Sequence, residues 1–184
     1  MVDRRRLIQF GFWGVLGVLA AVLLISLIDN GDDNSSESGA ETTPATAAIV
    51  SSDELRERAT ERESPIYWAG EQADTQIEFS QPQSGQTYVR YLTGDAEAGD
   101  PDAEFLTIGT YEFKDAAKAL KEQAKQPHGV LASAPGGGVV FFDRTHPESV
   151  YLAYPGEEVQ IEVYDPNPKR SLGLVSAGLI VPVG

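Results

Sequence analysis

The first strongly apolar segment of the chain, residues 7–28, contains 22 residues without a single charge (LIQFGFWGVLGVLAAVLLISLI). A helix of this length spans about 33 Å, which is enough to cross a hydrocarbon core of roughly 30 Å. Because lipid offers no hydrogen-bond partners, only a helix satisfies the backbone of such a segment. The pattern therefore predicts one transmembrane helix.

The charges on either side of this segment predict its orientation. Three arginines precede the apolar run and three aspartates follow it: Arg4, Arg5, Arg6, Asp29, Asp32 and Asp33. The positive-inside tendency makes residues 1–6 a cytoplasmic tail and places the C-terminal part outside the cell. A cleaved signal peptide is the alternative, but the run is long and no A-x-A-like site follows it closely. We expect a retained anchor and a single-pass protein of the cell membrane.

Four small residues share one face of the predicted membrane helix: Gly11, Gly14, Gly17 and Ala21. Small residues let two membrane helices approach closely, so this face is a candidate contact for self-association or for a partner helix. Glycine is also common in membrane helices that have no such contact.

The hydropathy pattern changes twice after the anchor. Residues 29–48 are polar and acidic, cannot bury enough apolar surface to fold, and are predicted to be a disordered stalk. Residues 49–64 are predicted to form a charged helix, since Ser51 and Glu54 fit a capping box. Only Leu55 and Ala59 give this helix an apolar stripe, so it either ends the stalk or packs on the domain edge.

Strand-like alternation dominates residues 65–184, which we interpret as one extracytoplasmic domain. Two helices interrupt the strands, one over Lys114–Lys125 and one that Asn167 caps and Gly178 ends. The predicted strands are Ile66–Trp68, Thr75–Ser80, Thr87–Leu92, Phe105–Tyr111, Val130–Ser133, Val139–Phe142, Val150–Tyr154, Val159–Tyr164 and Leu179–Val183. This order predicts an α+β fold, with two helices packed on an antiparallel-rich sheet.

A weak internal similarity points to a duplication. Ile108-x-x-Tyr111 precedes the first of these helices, and Ile161-x-x-Tyr164 precedes the second. Each follows a hairpin-like pair, which suggests two copies of a β-β-α unit. A chance match explains the similarity equally well.

The composition excludes several classes of function. Without the three arginines and one aspartate of residues 1–28, 27 acidic and 11 basic residues remain, a net charge of −16. Such a surface repels phosphates, so we expect no nucleic-acid partner. The chain contains no cysteine, which excludes disulfides, thiol catalysis and cysteine-ligated zinc.

No motif predicts a catalytic residue, a metal site or a cofactor. His146 lies near Asp143 and Ser149, but residues of one short loop seldom form a catalytic triad. Residues 135–138 (PGGG) precede a strand, so they indicate a hairpin turn instead of a phosphate loop. The acidic loop has two interpretations, a loose calcium site and a solvated surface, and the solvated surface is the simpler one for Asp95, Glu97, Asp100, Asp102 and Glu104.

Two candidate binding surfaces remain. Lys114, Lys118, Lys121 and Lys125 share one helical face, which is suited to an anionic cell-wall polymer or an acidic protein. Tyr67 and Trp68 belong to a set of aromatic residues that is suited to a sugar-binding platform: Tyr67, Trp68, Tyr88, Tyr91, Tyr151 and Tyr154. An ordinary solvated helix and an ordinary aromatic core are the alternatives.

The strings PIYWAG, YVRYL, YLAYPG and QIEVYDP resemble segments of uncharacterised single-pass, membrane-anchored proteins of high-GC Gram-positive bacteria. The resemblance extends over Glu54–Val183 and rests on aromatic and structural residues. It implies a location in the cell envelope and transfers no functional residue.

These patterns lead to a functional hypothesis. The chain combines an anchor, a stalk and a folded core without a convincing catalytic set, which is typical of a membrane-anchored extracytoplasmic binding or assembly module. An envelope hydrolase that uses acidic residues from different strands is one alternative. An accessory subunit, recruited through the small-residue face of the anchor, is the other.

Overall fold

A computed structural model describes residues 47–82 and 85–184. The strands are β1 Ala48–Val50, β2 Tyr67–Trp68, β3 Gln76–Ser80, β4 Thr87–Leu92, β5 Leu106–Glu112, β6 Gly129–Ala134, β7 Gly138–Asp143, β8 His146–Ala153, β9 Val159–Tyr164 and β10 Val181–Pro182. The helices are α1 Ser52–Thr60, α2 Ala116–Gln123 and α3 Pro168–Ser176.

The predicted membrane helix lies outside the described residues, together with its small residues Gly11, Gly14, Gly17 and Ala21 and nearly all of the predicted stalk. Within the part of the chain that the structure describes, no helix has the length and apolar character needed to cross a membrane.

Eight strands form one sheet in the order β1-β3-β4-β5-β9-β8-β7-β6, and every neighbouring pair is antiparallel. The short strands β2 and β10 pair with each other in a second sheet. Two meanders, β3-β4-β5 and β7-β8-β9, meet where β5 pairs with β9. The predicted α+β fold with an antiparallel-rich sheet is confirmed.

Helices pack on both faces of the large sheet. On one face, Val150, Leu152 and Ile161 belong to the main core with Val175 of α3 and with Ile66, which precedes β2. On the other face, α2 covers the end of the sheet around β7 and β8 with Ala116, Ala117 and Leu120. Each meander is followed by a helix, as a β-β-α repeat requires. However, a two-fold repeat within one antiparallel sheet would place both helices on the same face.

The N-terminal part of the domain differs from its prediction. Residues 48–50 form β1 and pair with β3, where the sequence predicted the end of the stalk and the start of a helix. Three residues are too few to show strand alternation. Helix α1 follows with the predicted capping box, in which the Glu54 amide donates to Ser51 Oγ (3.1 Å). Leu55 is fully buried in the main core, so α1 is part of the domain and not of the stalk.

Candidate functional site

The four predicted lysines lie at the end of the sheet that α2 covers. The helix is shorter than predicted, because Asp115 has a left-handed backbone (φ 57°) and α2 begins only after it. Lys118 and Lys121 lie within the helix, whereas Lys114 precedes it and Lys125 follows it. All four side chains are exposed, so they are accessible to a partner.

Gly129 lets the end of α2 lie close to β6. A Cβ atom on Gly129 of β6 would lie 2.8 Å from the carbonyl oxygen of Ala124, so only glycine allows this approach. On the exposed side, Lys125 Nζ forms an ion pair with Glu122 Oε2 (2.7 Å). Lys118 and Lys121 have no ion pair within 4.0 Å among the described residues.

Tyr67 and Trp68, the two aromatic residues expected at a binding surface, are buried. Tyr67 and Trp68 are only 4% and 7% exposed, because β2 packs into the main core. The Tyr67 hydroxyl donates to Glu157 Oε2 (2.9 Å), and the Arg56 guanidinium lies 5.4 Å from the centre of the Trp68 ring. Burial therefore leaves almost none of either side chain exposed to a ligand.

A buried carboxyl that the sequence did not predict lies on the α2 face of the sheet. Glu162 of β9 is 4% exposed and lies opposite Gly109 of β5 and Tyr151 of β8. The Tyr111 hydroxyl donates to Glu162 Oε2 (3.0 Å), and Ser149 and Tyr151 also form side-chain hydrogen bonds with this carboxyl. Gly109 makes room for this arrangement, because a Cβ there would lie 2.8 Å from the Tyr111 hydroxyl oxygen.

The surroundings of Glu162 change its ionisation. Burial raises the pKa of the Glu162 carboxyl to about 7, although hydrogen bonds from Ser149, Tyr111 and Tyr151 act to lower it. Burial likewise raises the pKa of the Tyr111 hydroxyl well above its ordinary value. A pKa of about 7 would let the Glu162 carboxyl take up or release a proton near neutral pH, but its near-complete burial leaves almost none of it exposed to a substrate.

Strand alternation alone misplaces Glu162. The alternation in β9 predicts Val159, Ile161 and Val163 on the core face and Gln160 and Glu162 in solvent. All five residues are buried in the structure. The signal that was available is the three hydroxyl-bearing residues on neighbouring strands, but which strands are neighbours is a property of the topology.

His146 does not take part in a catalytic triad. Its Nδ1 lies 3.1 Å from Thr145 Oγ1, and the Thr145 amide donates to Asp143 Oδ1 (2.7 Å). The hydrogen bonds from Thr145 lower the pKa of the Asp143 carboxyl. Ser149 instead bonds to Glu162, so the three residues of the motif do not converge on one reacting atom.

At the other end of the sheet, an open groove of about 570 Å³ lies beside β1 and α1. Glu54 and Glu71 both line it. The Ser51 amide donates to Glu54 Oε2 (2.7 Å), and this bond lowers the pKa of the Glu54 carboxyl. Glu54 is therefore an ionised helix cap, and its low pKa does not suit a general acid.

We interpret the acidic loop between β4 and β5 as a solvated surface. Asp95 and Glu97 are exposed, and Gly99 donates its amide to Glu78 Oε2 (2.6 Å). Asp100–Ala103 form part of a separate unit, in which the Asp102 amide donates to Asp100 Oδ1 (2.9 Å). Over residues 47–82 and 85–184, no three acidic or histidine side chains are grouped closely enough to hold a metal ion.

The chain matches no protein-family model, no curated protein and no solved structure.

Proposed function

We propose that this protein is a membrane-anchored binding module whose extracytoplasmic domain contacts an anionic polymer of the cell envelope through the lysine-bearing end of its sheet. The proposal is carried by the uneven distribution of charge over the fold. Residues 113–142 contain four lysines and two acidic residues, a net charge of +2, whereas the whole chain carries −14. The sequence therefore concentrates its lysines in one segment.

The fold supports this role because the segment forms one continuous part of the domain. Residues 113–142 contain α2, β6 and all of β7 except its last residue, Asp143, and α2 packs on β7 and β8. Lys118 and Lys121 project from a helix whose opposite side is fixed by the buried Ala117 and Leu120. A rigid helix presents cations with little loss of conformational entropy on binding. The surrounding acidic surface repels the same polymer, which restricts contact to this end.

The predicted anchor gives the module its location. The uncharged residues 7–28, preceded by three arginines, favour one membrane crossing with the domain outside. Protease added to intact cells is expected to remove the domain and leave a short membrane-embedded fragment. Protection of the domain in intact cells, together with its digestion after lysis, would overturn the proposed orientation.

The binding site is tested with the full chain in nanodiscs of uncharged lipid and with poly-L-glutamate as the anionic probe. Lys118→Gln combined with Lys121→Gln is expected to weaken binding at least several-fold, and salt should weaken wild-type binding steeply. Lys169→Gln, which removes an exposed lysine from α3, is the matched control and should leave binding unchanged. Equal losses in the two variants would show non-specific attraction and contradict the proposed site.

An acidic protein is the alternative ligand of the same lysines. Isolated anionic wall polymer is expected to compete with poly-L-glutamate for the full chain. If the polymer does not compete and an acidic protein does, the ligand class in this proposal is wrong while the site is retained.

A further inference from the structure

Strand β6 is an open edge of the eight-stranded sheet. Among residues 47–82 and 85–184 it pairs with β7 on one side only, and Leu131 is 52% exposed, with Ala132 and Ser133 also exposed. The amide of Arg144 donates to the carbonyl of His128, one position beyond the registered pair Gly129–Asp143 at the end of the β6–β7 ladder. Because hydrogen-bonded pairs alternate along an antiparallel ladder, the amides and carbonyls of Leu131 and Ser133 point away from β7.

This edge lacks the features that usually prevent strand addition. Proteins protect sheet edges with charged side chains, proline, bulges or very short strands. β6 has six residues (GVLASA) without a charge or a proline, and its register with β7 is regular throughout. The opposite edge strand, β1, has only three residues. The unprotected edge is therefore suited to pairing with another strand.

The distribution of acidic residues identifies the occupant. Residues 123–142, which include all of β6 and most of β7, contain no aspartate or glutamate in a chain that has 28 of them. Two copies of so acidic a chain repel each other over most orientations, and approach through β6 brings no carboxylate of these residues into contact. A common anchor in one membrane would also raise the effective concentration of one copy beside another.

We infer that β6 is a self-association site, where a second copy of this chain pairs antiparallel with β6 and continues the sheet across both molecules. Pairing centred on Ala132 places Leu131 of each copy opposite Ser133 of the other, so all the outward groups of both residues are used. The two-fold axis is perpendicular to the sheet, so both α2 helices lie on the same face. Their axes are then about 20 Å apart at a strand spacing of about 4.8 Å.

That distance is more than twice the Debye length of about 8 Å at physiological salt, so the two sets of lysines repel each other little. The inference goes beyond the proposed polymer binding, because it rests on β6 and not on the charge of Lys118 or Lys121. The two surfaces are adjacent and use different residues, so each can be removed separately.

The absence of cysteine from the chain allows a direct test. In the inferred dimer, Ala132 faces itself in a non-hydrogen-bonded pair with a Cα–Cα distance of about 4.5 Å, which a disulfide can bridge. Full-length Ala132→Cys in membranes, treated with copper phenanthroline as the oxidant, is expected to give a disulfide-linked dimer as the main product. Ala177→Cys, exposed at the end of α3, reports the background from random collisions.

Two second-site variants show whether the cross-link depends on strand pairing. Leu131→Pro removes an outward amide from each copy and no β6–β7 hydrogen bond. It should therefore lower the association constant of the two copies by about tenfold, which is measured as a lower yield of the Ala132→Cys cross-link. Leu131→Lys retains the amide but adds a charge to the edge and should also lower it. Circular dichroism and poly-L-glutamate binding of both variants report whether the domain remains folded.

Cross-linking of Ala132→Cys at the level of Ala177→Cys would overturn the inference, as would a dimer that folded Leu131→Pro and Leu131→Lys leave unchanged. If the wild-type chain instead binds a different protein through β6, the self-association inference is overturned in favour of that partner. Loss of polymer binding in the lysine variants with normal cross-linking would leave it intact, so the two proposals fail separately.

Discussion

The Tyr111 hydroxyl and the Glu162 carboxyl are joined by a 3.0 Å hydrogen bond across the boundary between β5 and β9, where the two meanders of the sheet meet. The Tyr88 ring lies edge-on to the Tyr111 ring, with 6.0 Å between ring centres. Buried polar groups of this kind favour one strand pairing over alternatives, because any other register leaves them without partners. The strand pairing at the centre of the sheet is therefore coupled to the protonation of a single carboxyl, that of Glu162.

The first prediction concerns the pH dependence of stability. The pKa of Glu162 is about 7 in the folded protein and about 4.5 when unfolded, so between these values the folded state holds a proton that the unfolded state releases. Its contribution to the free energy of unfolding is therefore fully present below pH 4.5 and is lost as the pH rises to 7. The loss amounts to about 3 kcal/mol over this window.

Glu162→Gln is the matched variant, because the amide is neutral at every pH. Urea unfolding of the full chain at several pH values should show that the variant lacks the decline that wild type has from Glu162. Parallel pH profiles of the two proteins would show that Glu162 titrates normally and that its burial does not control its ionisation.

The second prediction concerns the close approach at Gly109. Gly109→Ala would place a Cβ 2.8 Å from the Tyr111 hydroxyl oxygen. This contact would displace the Tyr111 hydroxyl from the Glu162 carboxyl. We expect a loss of about 1–3 kcal/mol in the free energy of unfolding, because a buried carboxyl loses a donor. The pKa of Glu162 should rise further, since the Tyr111 hydrogen bond lowers it.

Tyr111→Phe is the comparison for this effect, since it removes the hydroxyl and leaves the backbone unchanged. Carbon-13 NMR of the Glu162 carboxyl should show an upward pKa shift of the same sign in both variants. A shift in Tyr111→Phe alone would mean that the ring tolerates the extra methyl group.

The sequence predicted local structure better than it predicted burial. Alternation located β4 and β9 at their observed residues, and Asn167 caps α3 as expected, accepting from the Lys169 amide (3.1 Å). Alternation did not predict the burial of Glu162, because it describes a sheet with one covered face, whereas this sheet carries helices on both. The exposed lysines were identified because helix periodicity is local. The burial of Trp68 could not be predicted because the two residues of β2 have no alternation to show which side is buried.

The third prediction tests whether α1 belongs to the domain. Leu55 is completely buried in the main core, although the rest of α1 is mostly charged. Leu55→Ala should lower the free energy of unfolding by about 2–5 kcal/mol, because it leaves a cavity where the helix contacts the sheet. Leu179→Ala, at a leucine that is 52% exposed, is the control and should change it by less than about 0.5 kcal/mol. If Leu55→Ala and Leu179→Ala change the free energy of unfolding by equally small amounts, α1 belongs to the stalk.

The last prediction contrasts two glycines at the C-terminal end of the domain. Gly173 lies within α3, and a Cβ built there meets no atom within 4 Å. Gly173→Ala should raise the free energy of unfolding by about 1 kcal/mol, because alanine loses less backbone entropy in a helix. Gly178 follows the helix with φ +69°, and a Cβ there would lie 3.1 Å from Pro135 Cγ. Gly178→Ala should therefore lower stability by about 1 kcal/mol or more. Urea unfolding of both variants checks the opposite signs, and two changes of the same sign would contradict the end of α3 described here.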